Sequence, residues 1–326
     1  MKLDTQADLA RRYGYFLWAL MQMDRLDPVA EAGAQITPEA VERFITIAES
    51  GWSSVTLANS VYKLRRMAEM LAPETDVVWL REIEVELRAE ARPTRRRENV
   101  TSDELLQAGE TLFQEAESGS HLKPRERARL ARNGLMIALL AVHPIRHKNF
   151  SQLTLGTTFR HLDSRWWIVL EAEDTKAGRV DERQVPDYLN ALVERYLSAY
   201  RPILLAQKDT VFCNLDETAT EVSLKIWQRQ ERGALWVAVT GDPLAYSAVG
   251  AAITETTEEV LGIRLSPHAF RRAAKATAIF FGGEHPRLAQ GVLHHSSTRV
   301  GDENYDSSSS QRAALELTMI VRDLAR

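Results

Sequence analysis

Apolar residues recur with a helical period through the first quarter of the chain. Four segments, 9–23, 41–48, 61–71 and 78–87, repeat apolar positions about every 3.6 residues, as amphipathic helices do. Thr37 and Pro38 mark the start of one of them, because threonine caps free N–H groups and proline fits the first turn. Residues 1–91 are therefore predicted to form a domain of four or five helices.

The apolar period is lost over residues 92–100, where a basic, proline-containing stretch follows the last of these helices. We interpret this stretch as an interdomain linker. Its arginines Arg95, Arg96 and Arg97 are candidates for contacts with a DNA backbone, and solubility explains them equally well.

Residues 101–326 are predicted to form a second, mostly helical domain. Thr101 and Glu104 have the spacing of a capping box, and a long apolar helix is predicted over 124–142. The period shortens to two between 151 and 186, which predicts three short strands of an antiparallel sheet at 152–155, 166–170 and 183–185.

Helical spacing then returns and continues to the end of the chain. Helices are predicted over 188–204, 245–261 and 311–326, the last one amphipathic and preceded by a serine run that we interpret as a hinge. The predicted fold class is therefore mainly α, with one small three-stranded antiparallel sheet in the second domain.

Composition places the chain among globular proteins. With 326 residues, 44% apolar and 26% charged, the length suggests about two domains. A single cysteine, Cys213, cannot form an internal disulfide, which favours a reducing compartment. The first residues lack an apolar signal core, and the apolar run 135–142 is too short for a bilayer. We expect a cytoplasmic protein with no membrane partner.

Charge is unevenly distributed, although the net charge of −4 argues weakly against a polyanionic partner. Residues 121–148 carry seven Lys or Arg against Glu126 alone, and residues 264–299 carry six against Glu284 alone. Such asymmetry is typical of a protein with one face that meets a polyanion. Solvated helix faces are the simpler alternative.

Two arginines stand where the sequence would hold them firmly. Arg146 follows the long apolar helix, and Arg271 lies three positions after His268 at a helix start signalled by Ser266 and Pro267. A helix start offers free N–H groups to an anion, and guanidinium groups grip phosphate oxygens with two parallel hydrogen bonds. Taken singly, each arginine is as easily a solvated side chain at a helix end.

Three further residues could complete a site for phosphoryl transfer. Lys176 lies at the predicted tip between the second and third strands, His295 precedes two serines, and Tyr305 stands just before the serine run. A phenol attacks phosphorus poorly unless cations stabilise its phenolate. A lysine at a hairpin tip is, by itself, usually just solvated.

In this order and spacing, the six residues resemble the tyrosine recombinase, or phage-type integrase, family: Arg146, Lys176, His268, Arg271, His295 and Tyr305. The resemblance covers residues 101–326, and the N-terminal helices resemble that family's core-binding (SAM-like) domain more loosely. It implies a site-specific DNA recombinase that cleaves and rejoins strands through a 3′-phosphotyrosyl intermediate, without metal, ATP or any other cofactor.

The resemblance also implies a role for each residue. Arg146 and Arg271 would hold the non-bridging phosphate oxygens, Lys176 would protonate the leaving 5′-oxygen, and Tyr305 would be the nucleophile. The two histidines would hydrogen-bond the phosphate, and His268 is the better candidate to accept the tyrosine proton.

The sequence departs from the family pattern at several positions. Asn149 stands where an acidic residue is usual, and Arg272 where a second histidine is usual. Tyr305 follows His295 by ten positions, one more than is common. His294 competes with His295 for the same role, and His295 is preferred because of the serines after it.

The implied partner is double-stranded DNA with specific recombination sites, bound by a homo-tetramer on two sites with accessory DNA-bending proteins. Arg272 and Lys275 are further candidates for DNA contacts. The C-terminal helix would dock on a neighbouring copy or pack on its own domain. Two alternatives stay open: a type IB topoisomerase-like enzyme, and a DNA-binding relative without turnover. A metal site at His143 and His147 is disfavoured, because Pro144 occupies the position of a zinc protease's glutamate.

Overall fold

The structure, a computed structural model, describes residues 3–92, 100–175, 178–206, 233–281 and 307–325. The chain divides into two compact units, residues 1–97 and 98–326, and each is described by itself. The mainly α fold class with one small antiparallel sheet is confirmed. The assignment of the first unit to DNA binding stays a prediction.

In its described residues, the first unit contains four α-helices and one short 3-10 helix. They are α1 (Leu3–Gln22), the 3-10 helix Ala32–Gln35, α2 (Pro38–Glu49), α3 (Ser54–Leu71) and α4 (Val78–Glu90). The start signal of α2 is confirmed, because the Thr37 hydroxyl accepts a hydrogen bond from the Ala40 N–H at 3.2 Å. The apolar faces of these helices meet in a core around Phe16, Phe44 and Val61.

The second unit contains the other helices that the structure describes. They are α5 (Ser102–Ser118), α6 (Pro124–Val142), α7 (His147–Ser151), α8 (Asp187–Arg195), α9 (Arg201–Leu205), α10 (Tyr246–Leu261), α11 (Pro267–Phe281) and α12 (Ser307–Leu324), with a π-helical turn, Tyr196–Tyr200, between α8 and α9. The capping pair at the start of α5 is present, since the Thr101 N–H donates to the Glu104 carboxylate at 2.8 Å. Among the described helices, none is both long and apolar enough to span a membrane.

Helices α5 and α6 touch backbone to backbone at two glycines. A Cβ atom added to Gly109 would lie 2.6 Å from the Ala138 nitrogen and 2.7 Å from the Gly134 oxygen. Only hydrogen fits there, so the two helices approach more closely than side chains would allow. Every residue of α6 from Ala131 to Val142 is buried, which makes this helix the centre of the unit's core.

The sheet consists of β1 (Phe159–Leu162), β2 (Arg165–Leu170) and β3 (Asp181–Gln184), antiparallel in that order. The second and third strands lie where the sequence predicts them, but the first prediction, at 152–155, was wrong. That segment forms only isolated bridges, because the chain turns at Gly156, which has φ 77°, and then begins β1. The alternation of the sequence there reflects a turn between α7 and the sheet.

The C-terminal helix begins earlier than predicted and packs on its own unit. Helix α12 includes the serine run, so the predicted hinge was wrong; serine is a favoured residue at helix starts. Leu317 and Val321 are fully buried, and α12 packs against β3 and α5. Its end is fixed by an ion pair from Arg322 to Glu110 at 2.9 Å.

Candidate active site

Arg146 lies directly beyond the buried end of α6. His143 closes that helix through a 2.7 Å hydrogen bond from its N–H to the Leu139 carbonyl, and Pro144 prevents the helix from continuing. Ile145 is 1% exposed, so the backbone on the preceding side of Arg146 is fixed in the core. Arg146 then caps the short helix α7. That the side chain of Arg146 is held rigidly stays a prediction.

Arg271 lies in the first turns of α11, the helix start that the sequence predicts. Phe270 and Ala274 are fully buried and anchor α11 in the core. Arg271 itself is 8% exposed, and its guanidinium Nη1 donates a hydrogen bond to the carbonyl oxygen of Pro144. This bond joins α11 to the segment that leads into Arg146.

The two arginines, 125 positions apart in sequence, therefore share one site. Burial and then the nearby charge of Arg146 lower the pKa of Arg271 to about 10. Burial also lowers the pKa of Arg146, with Asp181 opposing the shift and Arg183 adding to it. Both groups remain charged at neutral pH, and their mutual repulsion makes the site favourable for an anion.

His268 lies three residues before Arg271 on α11 and is exposed. Although the side chain is exposed, partial desolvation by the surrounding chain, followed by the charges of Arg272 and Arg271, lowers the pKa of His268 below its ordinary value of 6.5. The neutral ring is therefore the main form at pH 7, and it can accept a proton. Arg272 and Lys275 are also exposed on α11, as candidates for DNA contacts need to be.

A buried ion pair on β3 influences the pKa of both arginines. Arg183 donates from Nε to one oxygen of Asp181 and from Nη2 to the other, each at 2.9 Å. The two side chains are 1% and 6% exposed. Asp181 raises and Arg183 lowers the pKa of both Arg146 and Arg271, which places the pair within their electrostatic reach.

His143 is fully buried in the same region. Burial first, then the charge of Arg183, lowers the pKa of His143 to about 3. The Gln184 backbone approaches the ring but does not meet hydrogen-bond geometry, and neither ring nitrogen has a partner among the described residues. His143 is thus a neutral buried residue within the electrostatic reach of Arg183 and Asp181.

The other predicted site residues lie outside the described residues. They are Lys176, His294, His295, Tyr305 and the linker arginines Arg95, Arg96 and Arg97. Their roles stay predictions. Next to position 176, Thr175 is buried, and its hydroxyl accepts a hydrogen bond from the Arg179 N–H at 3.0 Å.

Sequence reasoning missed Asp181 and Arg183. One signal for them was present, because residues two apart in a strand point to the same face, and an acid and a base at that spacing can pair there. In the described parts of the chain, no group of three or more His, Cys, Asp or Glu is arranged to hold a metal ion.

Comparison with known proteins gives only loose similarity. No family model and no curated protein matches the chain. A solved complex of XerH site-specific recombinase bound to difH substrate, before cleavage, matches at TM-score 0.48 and 14% identity, covering 90% of this chain and 71% of that chain. A post-cleavage complex of XerH with palindromic difH matches at TM-score 0.39 and 11% identity, covering 100% and 97%. Similarity this loose carries no weight for function, which depends on the site residues.

Proposed function

We propose that this chain is a DNA breaking-and-rejoining enzyme of the tyrosine recombinase class. More narrowly, the proposed activity is site-specific recombination through a 3′-phosphotyrosyl intermediate, with no metal or ATP required. The ordered set of sequence motifs supports the class, and the geometry around Arg146 and Arg271 supports the chemistry.

The carrying observation is that Arg271 bonds to the carbonyl two residues before Arg146. The Arg271 guanidinium is thereby held beside the segment that carries Arg146, and the positive charges of the two guanidinium groups repel each other. A phosphodiester would relieve the repulsion between them. In the transition state, where negative charge on the phosphoryl oxygens increases, the same two groups would stabilise it further.

The proposed reaction moves one bond at a time. The Tyr305 oxygen attacks the phosphorus of the scissile phosphate, its proton passes to neutral His268, and the bond from phosphorus to the 5′-oxygen breaks. Lys176 protonates that leaving oxygen, which gives a free 5′-hydroxyl and a 3′-phosphotyrosyl bond. Attack by the 5′-hydroxyl of a partner strand reverses the steps and releases the tyrosine.

Tyr305 precedes by two positions a helix that packs on β3, the strand that carries Asp181 and Arg183. A two-residue connection spans at most about 7 Å, so the sequence keeps the tyrosine close to the start of α12. The packing of α12 on its own unit favours attack by the same chain's tyrosine. The proposed partners are double-stranded DNA and further copies of the chain, in the cytoplasm.

The test uses a suicide DNA substrate, nicked beside the cleavage point, taken from the DNA ends that flank the gene. A covalent protein–DNA adduct should form in the presence of EDTA and should be absent in Tyr305→Phe. Tyr200→Phe is the matched control, because the hydroxyl that it removes donates a hydrogen bond to Glu117 at 2.6 Å, and neither residue belongs to the proposed site. The adduct of this variant should persist.

The alternatives give different results. DNA binding with no adduct in the parent protein would reject the enzyme and favour a silent relative. Relaxation of supercoiled plasmid with no requirement for a site would favour a type IB topoisomerase. An adduct that persists in Tyr305→Phe would reject the assigned nucleophile.

A further inference from the structure

Arg146 caps a helix that is only about one turn long. Helix α7 has five residues, His147–Ser151, and a helix this short is not stable by itself. Its placement must therefore come from contacts with other elements of the unit. The same contacts determine the direction in which the Arg146 side chain leaves the backbone.

The far end of α7 is held by the core. Phe150 is fully buried, and its carbonyl oxygen accepts a hydrogen bond from the indole Nε1 of Trp236 at 2.8 Å. The Phe150 N–H in turn donates to the Arg146 carbonyl oxygen at 2.9 Å. The near end of the helix begins with His147, the residue that directly follows Arg146 in the chain.

The His147 ring is held from two sides by α10. Tyr246 and Gly250 are four positions apart and therefore lie on the same face of that helix. The Tyr246 ring stacks on the His147 ring, with their centroids 4.0 Å apart and their planes 28° apart. A Cβ atom added to Gly250 would lie 2.9 Å from the His147 Cε1 atom, and the three nearest atoms would all belong to His147. The absence of a side chain at Gly250 thus lets the ring lie against the helix backbone.

We propose that His147 is a positioning residue for Arg146. Its ring, held between Tyr246 and the backbone of Gly250, fixes the start of α7 so that the Arg146 guanidinium is presented to a scissile phosphate. Ile145, on the other side of Arg146, is buried, so both chain neighbours of the arginine are anchored. This inference rests on the proposed function and extends it to a residue that acts through Arg146 and needs no contact with DNA.

The close approach at Gly250 gives the size of the effect. Carbon atoms pack best at about 3.5–4.0 Å, so Gly250→Ala would push the His147 ring back by roughly 0.5–1 Å. A catalytic group misplaced by about 1 Å can lower a rate on the order of 10²-fold. The added methyl group should have no such effect once the ring is absent, because its nearest atoms all belong to His147.

The experiment measures the rate of covalent adduct formation on the suicide DNA substrate. His147→Ala and Gly250→Ala should each lower the rate by on the order of 10- to 100-fold, and the double variant should be no slower than His147→Ala alone. Tyr246 is 57% exposed, so its substitution leaves the core intact. Tyr246→Phe, which keeps the stacked ring, should retain more of the rate than Tyr246→Ala. Gly14→Ala and His121→Ala are the matched controls and should behave as the parent.

A merely structural role for His147 would give a different pattern when Arg146 is already replaced. Loss of folding would lower the rate by the same factor in the parent and in the Arg146→Ala background. If His147 acts through Arg146, His147→Ala should cost less than about threefold in the Arg146→Ala background. Equal losses in the two backgrounds would overturn the proposal.

A second readout needs no turnover. Inorganic sulfate should raise the melting temperature of the parent and of His121→Ala, with an apparent affinity at least about tenfold weaker in His147→Ala. The same substitution should not weaken sulfate binding further when Arg146 is Ala. Sulfate binding that His147→Ala leaves unchanged would overturn the role of His147. If the parent forms no adduct but the sulfate difference holds, the proposed function fails while the positioning role of His147 stands.

Discussion

His143 gives the sharpest test of how the core beneath the arginines is built. Its ring is fully buried beside Asp181 and Arg183, and burial lowers its pKa to about 3. In the unfolded chain the same ring has an ordinary pKa near 6.5. Replacing His143 with Gln removes the titrating group and keeps a polar side chain of similar length.

The sign and size of the effect follow from linkage. Above pH 6.5 the ring is neutral in both states and contributes no pH dependence. As the pH falls from 6.5 towards 3, the unfolded state binds a proton and the folded state does not, so folding weakens. Between pH 8 and pH 5 the parent should lose about 2 kcal/mol through this one group, at about 1.4 kcal/mol per pKa unit.

The assay must report on the second unit alone. Urea unfolding monitored by hydrogen–deuterium exchange of α6 peptides reports on that unit alone, because α6 is its buried centre. The free energy of unfolding is measured at pH 8 and pH 5 for the parent, His143→Gln and His121→Gln. The last variant removes an exposed histidine of the α5–α6 turn as a control.

The expected result is a difference between parent and His143→Gln that shrinks by about 2 kcal/mol on going from pH 8 to pH 5. All other titrating groups are common to both proteins and cancel in the difference. A difference that stays constant with pH would refute the reasoning, because it would mean that the buried ring accepts its proton as readily as a solvated one.

Further predictions concern two helix glycines, one in each unit, and one ion pair of α12. Gly109→Ala should destabilise the second unit by about 1–3 kcal/mol, since the added methyl would meet backbone atoms. Gly14→Ala in α1, where the added methyl would have no atom within 4 Å, should stabilise its helix by about 0.5–1 kcal/mol in urea unfolding. Arg322→Ala, which breaks the pair with Glu110, should speed hydrogen exchange in α12 in line with about 0.5–1 kcal/mol, whereas Arg195→Ala at another exposed pair should not. Parent-like stability of Gly109→Ala, or parent-like hydrogen exchange of α12 in Arg322→Ala, would contradict these contacts.

Most helices could be predicted from the sequence because their apolar period extends over many residues. The region 124–142 matches α6 from end to end, and 245–261 matches α10 to within one residue. The first strand was misplaced because a four-residue alternation suits a turn as well as a strand, and the choice depends on Gly156. The serine run was misread because composition favoured a hinge while the helix start used the same residues.

The two arginines were predictable because their spacing relative to His268 forms part of an ordered motif. The spacing of Asp181 and Arg183 signals a pair, but their burial was not predictable, since an Asp and an Arg in a short strand near a hairpin ordinarily face solvent. Here they are buried, and α12 packs on their strand from a position about 130 residues later in the sequence. No local pattern carries that information.

Helix α11 is tied to the rest of its unit at two points far apart along its length. Arg271 donates a hydrogen bond to the Pro144 carbonyl, two residues beyond α6. The Thr277 hydroxyl accepts a hydrogen bond from the Ser102 N–H at the start of α5 at 3.0 Å. Because α5 and α6 are in close backbone contact at their glycines, the three helices restrain one another's positions. The position of the Arg271 guanidinium is thus set during folding, so a phosphodiester that binds as proposed would meet a group already in place and lose less free energy in aligning with it.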